Sequence, residues 1–166
     1  IDKIEFDSRK IGANDAFVAI RGTISNGHDY IETAIWNGAI AIVCDTLPEI
    51  LTPGITFIQV KDTNEALAFM AANYFGNPSQ DLKLVGITGT NGKTTIASLL
   101  FQLFKKAGFK VGLLSTVKIL VDEVEYKATH TTPDSLTINH YLREMVEAGV
   151  EYCFMEVSSH GIHQKR

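Results

Sequence analysis

The residues from 89 to 95, Gly89-Thr90-Asn91-Gly92-Lys93-Thr94-Thr95, are types suited to holding phosphate. Glycines let a backbone fold close around phosphate oxygens. Lys93 supplies a mobile cation for the β and γ phosphates, and the Thr94 hydroxyl is a ligand type for Mg²⁺. The common phosphate loop reads G-x-x-x-x-G-K-[ST]. Counted back from Gly92-Lys93-Thr94, its first glycine falls on Ile87, with glycines at 86 and 89 instead. The loop is therefore a subtype whose core is G-T-N-G-K-T-T, and Ile87 belongs to the strand before it. The bland alternative, a glycine-rich turn with no ligand, is weakened by what flanks it: an apolar strand before and an amphipathic helix after.

A second candidate lies near the end of the chain. Glu156 closes the apolar run Cys153-Phe154-Met155 and precedes Ser158-Ser159-His160. In parallel α/β sheets ligands gather at the carboxyl ends of strands. A carboxylate there, facing a phosphate loop, is the usual second anchor for Mg²⁺. A surface glutamate at a strand end is the competing reading, and the phosphate loop tips the balance. His160 reads either as a substrate-positioning group or as a hydrogen-bonded turn histidine.

Positioning these groups requires alternating strands and helices. Apolar runs predict strands at 16–20, 39–44 and 55–60. Helical spacing predicts helices at 28–37, stopped by Gly38, and at 63–75. Residues 77–81, Asn-Pro-Ser-Gln-Asp, are the best linker candidate. Beyond it come a strand at 82–87, a helix at 94–107 stopped by Gly108, and a strand at 111–114. The apolar positions of that helix are Ile96, Leu99, Leu100, Leu103, Phe104 and Ala107. A strand-loop-helix-strand unit makes its two strands parallel. A helix at 135–148, stopped by Gly149, and a strand at 152–157 complete an α/β half with a largely parallel sheet.

Composition bounds the partners. The 166 residues carry 15 Lys and Arg against 19 Asp and Glu, for a net charge of −4, with no basic run. Nucleic acid and membrane insertion are thereby disfavoured, and no apolar run is long enough to cross a bilayer. Cys44 and Cys153 sit in apolar runs and read as buried thiols, which suits a reducing cytoplasm. Ile1 is not a natural start and HGIHQKR ends without a domain boundary, so the sequence reads as a fragment.

Gly89 to Thr95, Thr131-Thr132-Pro133-Asp134 and Met155-Glu156-Val157-Ser158-Ser159-His160 occur in an order and spacing that resemble the Mur ligases, the ATP-dependent amide-forming enzymes of peptidoglycan synthesis. Asp7-Ser8-Arg9 and Gly22-Thr23-Ile24-Ser25-Asn26-Gly27-His28-Asp29 resemble the UDP-binding N-terminal domain of the family's MurE type. The likeness covers essentially the whole chain. It implies a small N-terminal α/β UDP-binding domain at 1–78. At 79–166 would follow the first part of a P-loop, mainly parallel-sheet ATPase domain.

The resemblance also implies roles. Residues 89–95 would bind ATP, with Lys93, Thr94 and Glu156 at the chemistry and Thr94 and Glu156 on Mg²⁺. Ser8 and the loop Thr23-Ile24-Ser25 would hold the uridine diphosphate. Thr131, Thr132, Ser158, Gln164 and Arg166 would hold the muramoyl-dipeptide portion; His130 carries less weight, because some relatives have Asn there. The reaction would activate the carboxylate of UDP-N-acetylmuramoyl-L-alanyl-D-glutamate as an acyl phosphate. A diamino acid, meso-diaminopimelate or else L-lysine, would then attack it. The enzyme would be a cytoplasmic monomer. The downstream metal-site histidine, carbamylated lysine and amino-acid-binding domain of the family lie outside these residues, so the 166 residues alone are expected not to turn over. Two rivals stay open: a folylpolyglutamate synthase-like ligase, and a non-catalytic P-loop module.

Overall fold

The computed structural model describes residues 1–22, 25–128 and 131–166. They form two compact units, Ile1–Met70 and Ala71–Arg166.

The first unit is built on a four-stranded parallel sheet of β1 (Ile4–Glu5), β2 (Asp15–Val18), β3 (Ala39–Cys44) and β4 (Thr56–Gln59), in that spatial order. β3 is almost wholly buried, as an apolar strand between two parallel neighbours must be. Phe17, Ile31, Ala34, Ile42 and Cys44 share one apolar cluster. The helix predicted at 28–37 is divided: a 3-10 turn, Gly27–Tyr30, precedes α1 (Ile31–Trp36). The Asn26 side chain accepts the His28 N–H and so fixes the tight turn first. α2 (Thr63–Tyr74) follows.

The second unit contains β5 (Lys83–Ile87), α3 (Lys93–Lys106), β6 (Val111–Leu114), β7 (Lys118–Val121), β8 (Val124–Lys127), α4 (Ser135–Glu147), β9 (Tyr152–Glu156) and α5 (Ser159–His163). Its sheet runs β5-β9-β6-β7-β8. β5 and β6 share one direction, as predicted, but β9 lies between them and pairs parallel with both. β7 and β8 are an antiparallel hairpin that the periodicity did not predict. Its two-residue turn places Asp122 in the left-handed region, with φ 53°.

Side chains alternate across this sheet. Leu114 and Cys153 meet Ile138, Leu142 and Met145 of α4. Leu113 and Phe154 meet Ala97 and Phe101 of α3. Helices thus cover both faces, and burial pushes the Cys153 thiol upward in pKa. The buried stripe of α3 differs from the predicted one. Ala97 and Phe101 are buried, while Ile96, Leu99 and Leu103 are exposed. The helix carries a wider apolar arc than one sheet face can cover. Pro78–Gln80 form a 3-10 turn with Pro78 buried, and Arg143 of α4 donates to the Phe75 and Gly76 carbonyls at 2.8 and 3.0 Å.

Candidate functional site

The loop between β5 and α3 starts from Ile87, which is buried and strand-paired, in keeping with its assignment to the strand. The helix begins after Gly92, whose φ of 80° and ψ of −2° lie in the left-handed region open to glycine. Gly92, the N-cap, has no side chain to accept from the first-turn N–H groups of α3. Unpaired amides plus the helix dipole make this end attractive to anions. Lys93 folds back over the loop, its Nζ donating to the Gly89 carbonyl at 2.8 Å. Thr90, Asn91 and Thr95 complete the loop and helix start, and all but Lys93 and Thr94 among residues 89–95 are exposed.

Glu156 is only 1% exposed. The register pairs it with Ile87, so it enters directly beside the loop's root. Its Oε2 accepts from the Thr94 hydroxyl at 2.9 Å and from the Thr116 hydroxyl at 3.1 Å, and its Oε1 accepts from the Thr116 N–H at 2.9 Å. Three donors satisfy a buried carboxylate that would otherwise be costly. Thr116 was not among the predicted residues. It follows the end of β6, the strand beside β9, and nothing in its local sequence marks it.

Mg²⁺ suits this arrangement. It takes oxygen ligands and is commonly held by one or two protein groups plus substrate phosphates. The Thr94 hydroxyl and Glu156 Oε2, hydrogen-bonded at 2.9 Å, are the oxygen donors that would hold it. Among the described residues no group of three or more His, Cys, Asp or Glu could enclose a metal. An ion here would therefore share its shell with nucleotide and water.

A second cluster adjoins the first. Thr132 is buried. Its hydroxyl oxygen accepts from the Ser158 N–H at 3.0 Å and lies 3.1 Å from Ser158 Oγ and 3.2 Å from the Glu156 carbonyl oxygen. Arg166 Nη1 donates to the Thr132 carbonyl at 2.9 Å. Ser158 Oγ also caps α5, accepting from Gly161 N–H at 3.0 Å. A Cβ on Gly161 would stand 2.8 Å from Thr132 Cγ2, so only glycine permits this approach. Gln164 Nε2 lies 2.8 Å from His160 Nε2, which makes His160 a hydrogen-bonded helix residue here. Thr131 is half-buried beside Thr132. His130 lies outside the described residues.

The first unit holds a cleft of its own, about 660 Å³ in volume. Ser8 and Ser25 line it, with Phe17, Gly27 and Tyr30 among the other walls. Ser8 sits in a 3-10 turn capped by the Asp7 side chain. Arg9 donates to both Asp7 oxygens at 2.8 Å, and this hydrogen bonding holds the Asp7 carboxyl at about 2. Thr23 and Ile24 lie outside the described residues.

A mixed sheet, parallel around β9 and antiparallel at β7 and β8, whose glycine-rich loop meets a buried carboxylate at a strand end is the arrangement of a P-loop α/β domain. Residues 87–166 match the Mur ligase middle domain, and residues 1–75 match the domain described as Mur ligase family, catalytic domain. The chain belongs to the Mur ligase family. It is 52% identical to a UDP-N-acetylmuramoyl-L-alanyl-D-glutamate--2,6-diaminopimelate ligase of Cytophaga hutchinsonii over 100% of its own length and 34% of that protein. A ligase of the same name from Clostridium tetani is 47% identical, again over 100% of this chain and 35% of the relative. The chain thus spans about a third of the length of the curated relatives it matches. Among solved structures, one titled as that ligase matches with a TM-score of 0.78 at 24% identity, covering 98% of this chain and 33% of the other. MurF ligase from Thermotoga maritima, solved with ADP, matches with a TM-score of 0.58 at 22% identity, over 95% of this chain and 32% of the other. These two show a shared fold.

Proposed function

We propose that the chain is the UDP-binding and phosphate-loop portion of a cytoplasmic, monomeric ligase that uses ATP to join 2,6-diaminopimelate to UDP-N-acetylmuramoyl-L-alanyl-D-glutamate. Residues 1–78 would take the uridine diphosphate end and residues 79–166 the nucleotide. The observation that carries this reading is the 2.9 Å contact of Thr94 with buried Glu156 directly beside the phosphate loop. The relatives' names supply the amine and the acceptor.

In this reading Gly89 to Thr95 wrap the phosphates with backbone N–H groups, and Lys93 exchanges the Gly89 carbonyl for a phosphate oxygen. Thr94 and Glu156 would hold Mg²⁺, which when bound neutralises charge on the transferring phosphoryl group. Thr131, Thr132, Ser158, Gln164 and Arg166 would orient the peptide carboxylate, so that phosphoryl transfer and amine attack occur between held partners. Ser8, Ser25 and, outside the described residues, Thr23 and Ile24 would hold the UDP in the cleft. The rest of the longer ligase would supply the amino-acid site, so the 166 residues alone bind without turning over.

The test is Lys93→Ala in the full-length enzyme. Loss of ADP release that depends on both UDP-dipeptide and diaminopimelate is expected; wild-type release would overturn the loop assignment. Thermal-shift titration separates the rivals. Stabilisation by UDP-N-acetylmuramoyl-dipeptide supports the reading, by a folate the folylpolyglutamate alternative, and by nucleotide alone a non-catalytic module.

A further inference from the structure

Asp45 lies just beyond β3 and does not line the 660 Å³ cleft, yet three polar residues tie it to one cleft wall. Arg21 donates to it bidentately, Nε to Oδ2 and Nη2 to Oδ1, both at 2.8 Å. His28 Nε2 is 3.1 Å from Asp45 Oδ1 and 3.3 Å from the Asp45 backbone nitrogen. His28 Nδ1 lies 3.0 Å from Asn26 Oδ1. The backbone of Asn26 bridges back to Arg21. Arg21, Asp45, His28 and Asn26 therefore form a closed ring. Outside the ring, Thr46 Oγ1 donates to Asp45 Oδ1 at 2.8 Å, and Gln59 of β4 holds the Asp45 carbonyl at 3.0 Å.

The ring's other members sit among the wall residues. Ile20, Gly22, Ser25 and Gly27 line the cleft, and Gly27 N–H closes on the Ile20 carbonyl at 2.8 Å. Each end of this wall carries one arm of the ring: Arg21 beside Gly22, and His28 beside Gly27. Asp45, held through its carboxylate by Arg21 and through its backbone N–H by His28 Nε2, fixes the spacing of the two ends. For stability alone the ring is a poor investment, since the Arg21 side chain is 53% exposed and such ion pairs contribute little. Fixing a binding wall before the ligand arrives is a different gain, because less order is then lost on binding.

We propose that Asp45 is a positioning residue for uridine diphosphate binding: clamped between Arg21 and His28, it holds the cleft wall of Gly22, Ser25 and Gly27 in its binding shape. This rests on the reading of the cleft as the UDP site, and adds residues that do not touch the cleft ligand themselves.

The test uses the full-length enzyme and UDP titrated by calorimetry, first on the unmutated protein. Failure of that protein to bind UDP sinks the cleft assignment and the clamp with it. Given binding, Arg21→Gln and Asp45→Asn are each expected to raise the Kd for UDP about tenfold, beyond what any fall in melting temperature accounts for, with the double variant no weaker than either single one. The KM for the UDP-linked substrate should rise by more than kcat falls. Wild-type UDP affinity in both variants overturns the proposal. So does an affinity loss that only tracks a fall in melting temperature, which would mark the ring as plain scaffolding. Should Asp45→Asn fail to fold, Arg21→Gln decides, because its side chain is half exposed.

Discussion

The Thr94 hydroxyl donates to Oε2 of Glu156 at 2.9 Å, although 62 positions separate the two residues. Two strand ends create the contact. β5 delivers the loop that starts α3, and β9, inserted beside β5, delivers Glu156 opposite Ile87. Neither residue would be notable alone. A carboxylate 1% exposed thus takes hydrogen bonds from two hydroxyls and one amide beside the glycine-rich loop. The proposed metal–nucleotide complex would use that juxtaposition.

Glu156→Gln removes the charge while keeping the shape. We expect the fold to persist and Mg²⁺-dependent affinity for ADP to fall by about tenfold or more, while binding without Mg²⁺ changes little. A fluorescent ADP analogue titrated with and without Mg²⁺ reads both. Equal loss in the two titrations would show that Glu156 supports the loop and not an ion.

Thr116→Val deletes one of the donors to Glu156 Oε2 and leaves the backbone N–H on Oε1. The expected stability cost is about 1 kcal/mol, and Thr116→Ser should restore most of it. Denaturant midpoints of the three proteins check this. A valine variant as stable as wild type would show that the hydroxyl contact contributes nothing.

Asp7 and Asp45 both have carboxyls lowered from 3.8 to about 2, chiefly by side-chain hydrogen bonds from Arg9 and Arg21 respectively. A depressed folded-state value means the folded chain holds the carboxylate more strongly than the unfolded chain does. The resulting stability is present above 3.8 and is lost as pH falls towards about 2. Melting temperature followed across that window should drop less in Asp7→Asn and Asp45→Asn than in wild type. Parallel curves would mean the two pairs carry no pH-linked stability.

Gly161→Ala would press a methyl group to within 2.8–2.9 Å of the Thr132 side chain and 3.1 Å of Ser158 Oγ. Overpacking of this kind costs about 1–3 kcal/mol. The more telling readout is the KM for the UDP-linked substrate, because the displaced residues are those proposed to orient its peptide portion. Unchanged KM and stability would place the cluster away from substrate.

Much of the scaffold was legible because its signals are local. The strands predicted at 39–44 and 111–114 have those bounds in the fold, and the helix at 94–107 begins and ends one residue earlier. The glycine-rich loop between β5 and α3 was legible for the same reason: its residues are contiguous. The β7–β8 hairpin was not, since β7, Lys-Ile-Leu-Val, and β8, Val-Glu-Tyr-Lys, are four residues each, too short to show a clear period. Thr116 was missed because its meaning lies in a partner 40 positions away. The Arg21–Asp45 pair is separated by 24 positions and joins two loops, a relation that spacing along the chain does not encode. The exposed side of α3 went astray because an apolar arc tells how much could be buried, and not which part a given sheet covers.

The placement of β9 has a temporal consequence. β5 and β6 do not bond to each other; each completes its ladder only with β9, whose Tyr152 meets Lys83 across 69 positions. A ribosome makes β9 last of the three, so the first two strands wait with open edges while some forty residues, hairpin and α4 included, are still being added. Loops of that length close slowly compared with helices. The strand that zips the sheet is also the one that carries Glu156, so the acidic half of the proposed nucleotide site cannot exist before the sheet does. Assembly of this unit and arrival of its charged centre are one event.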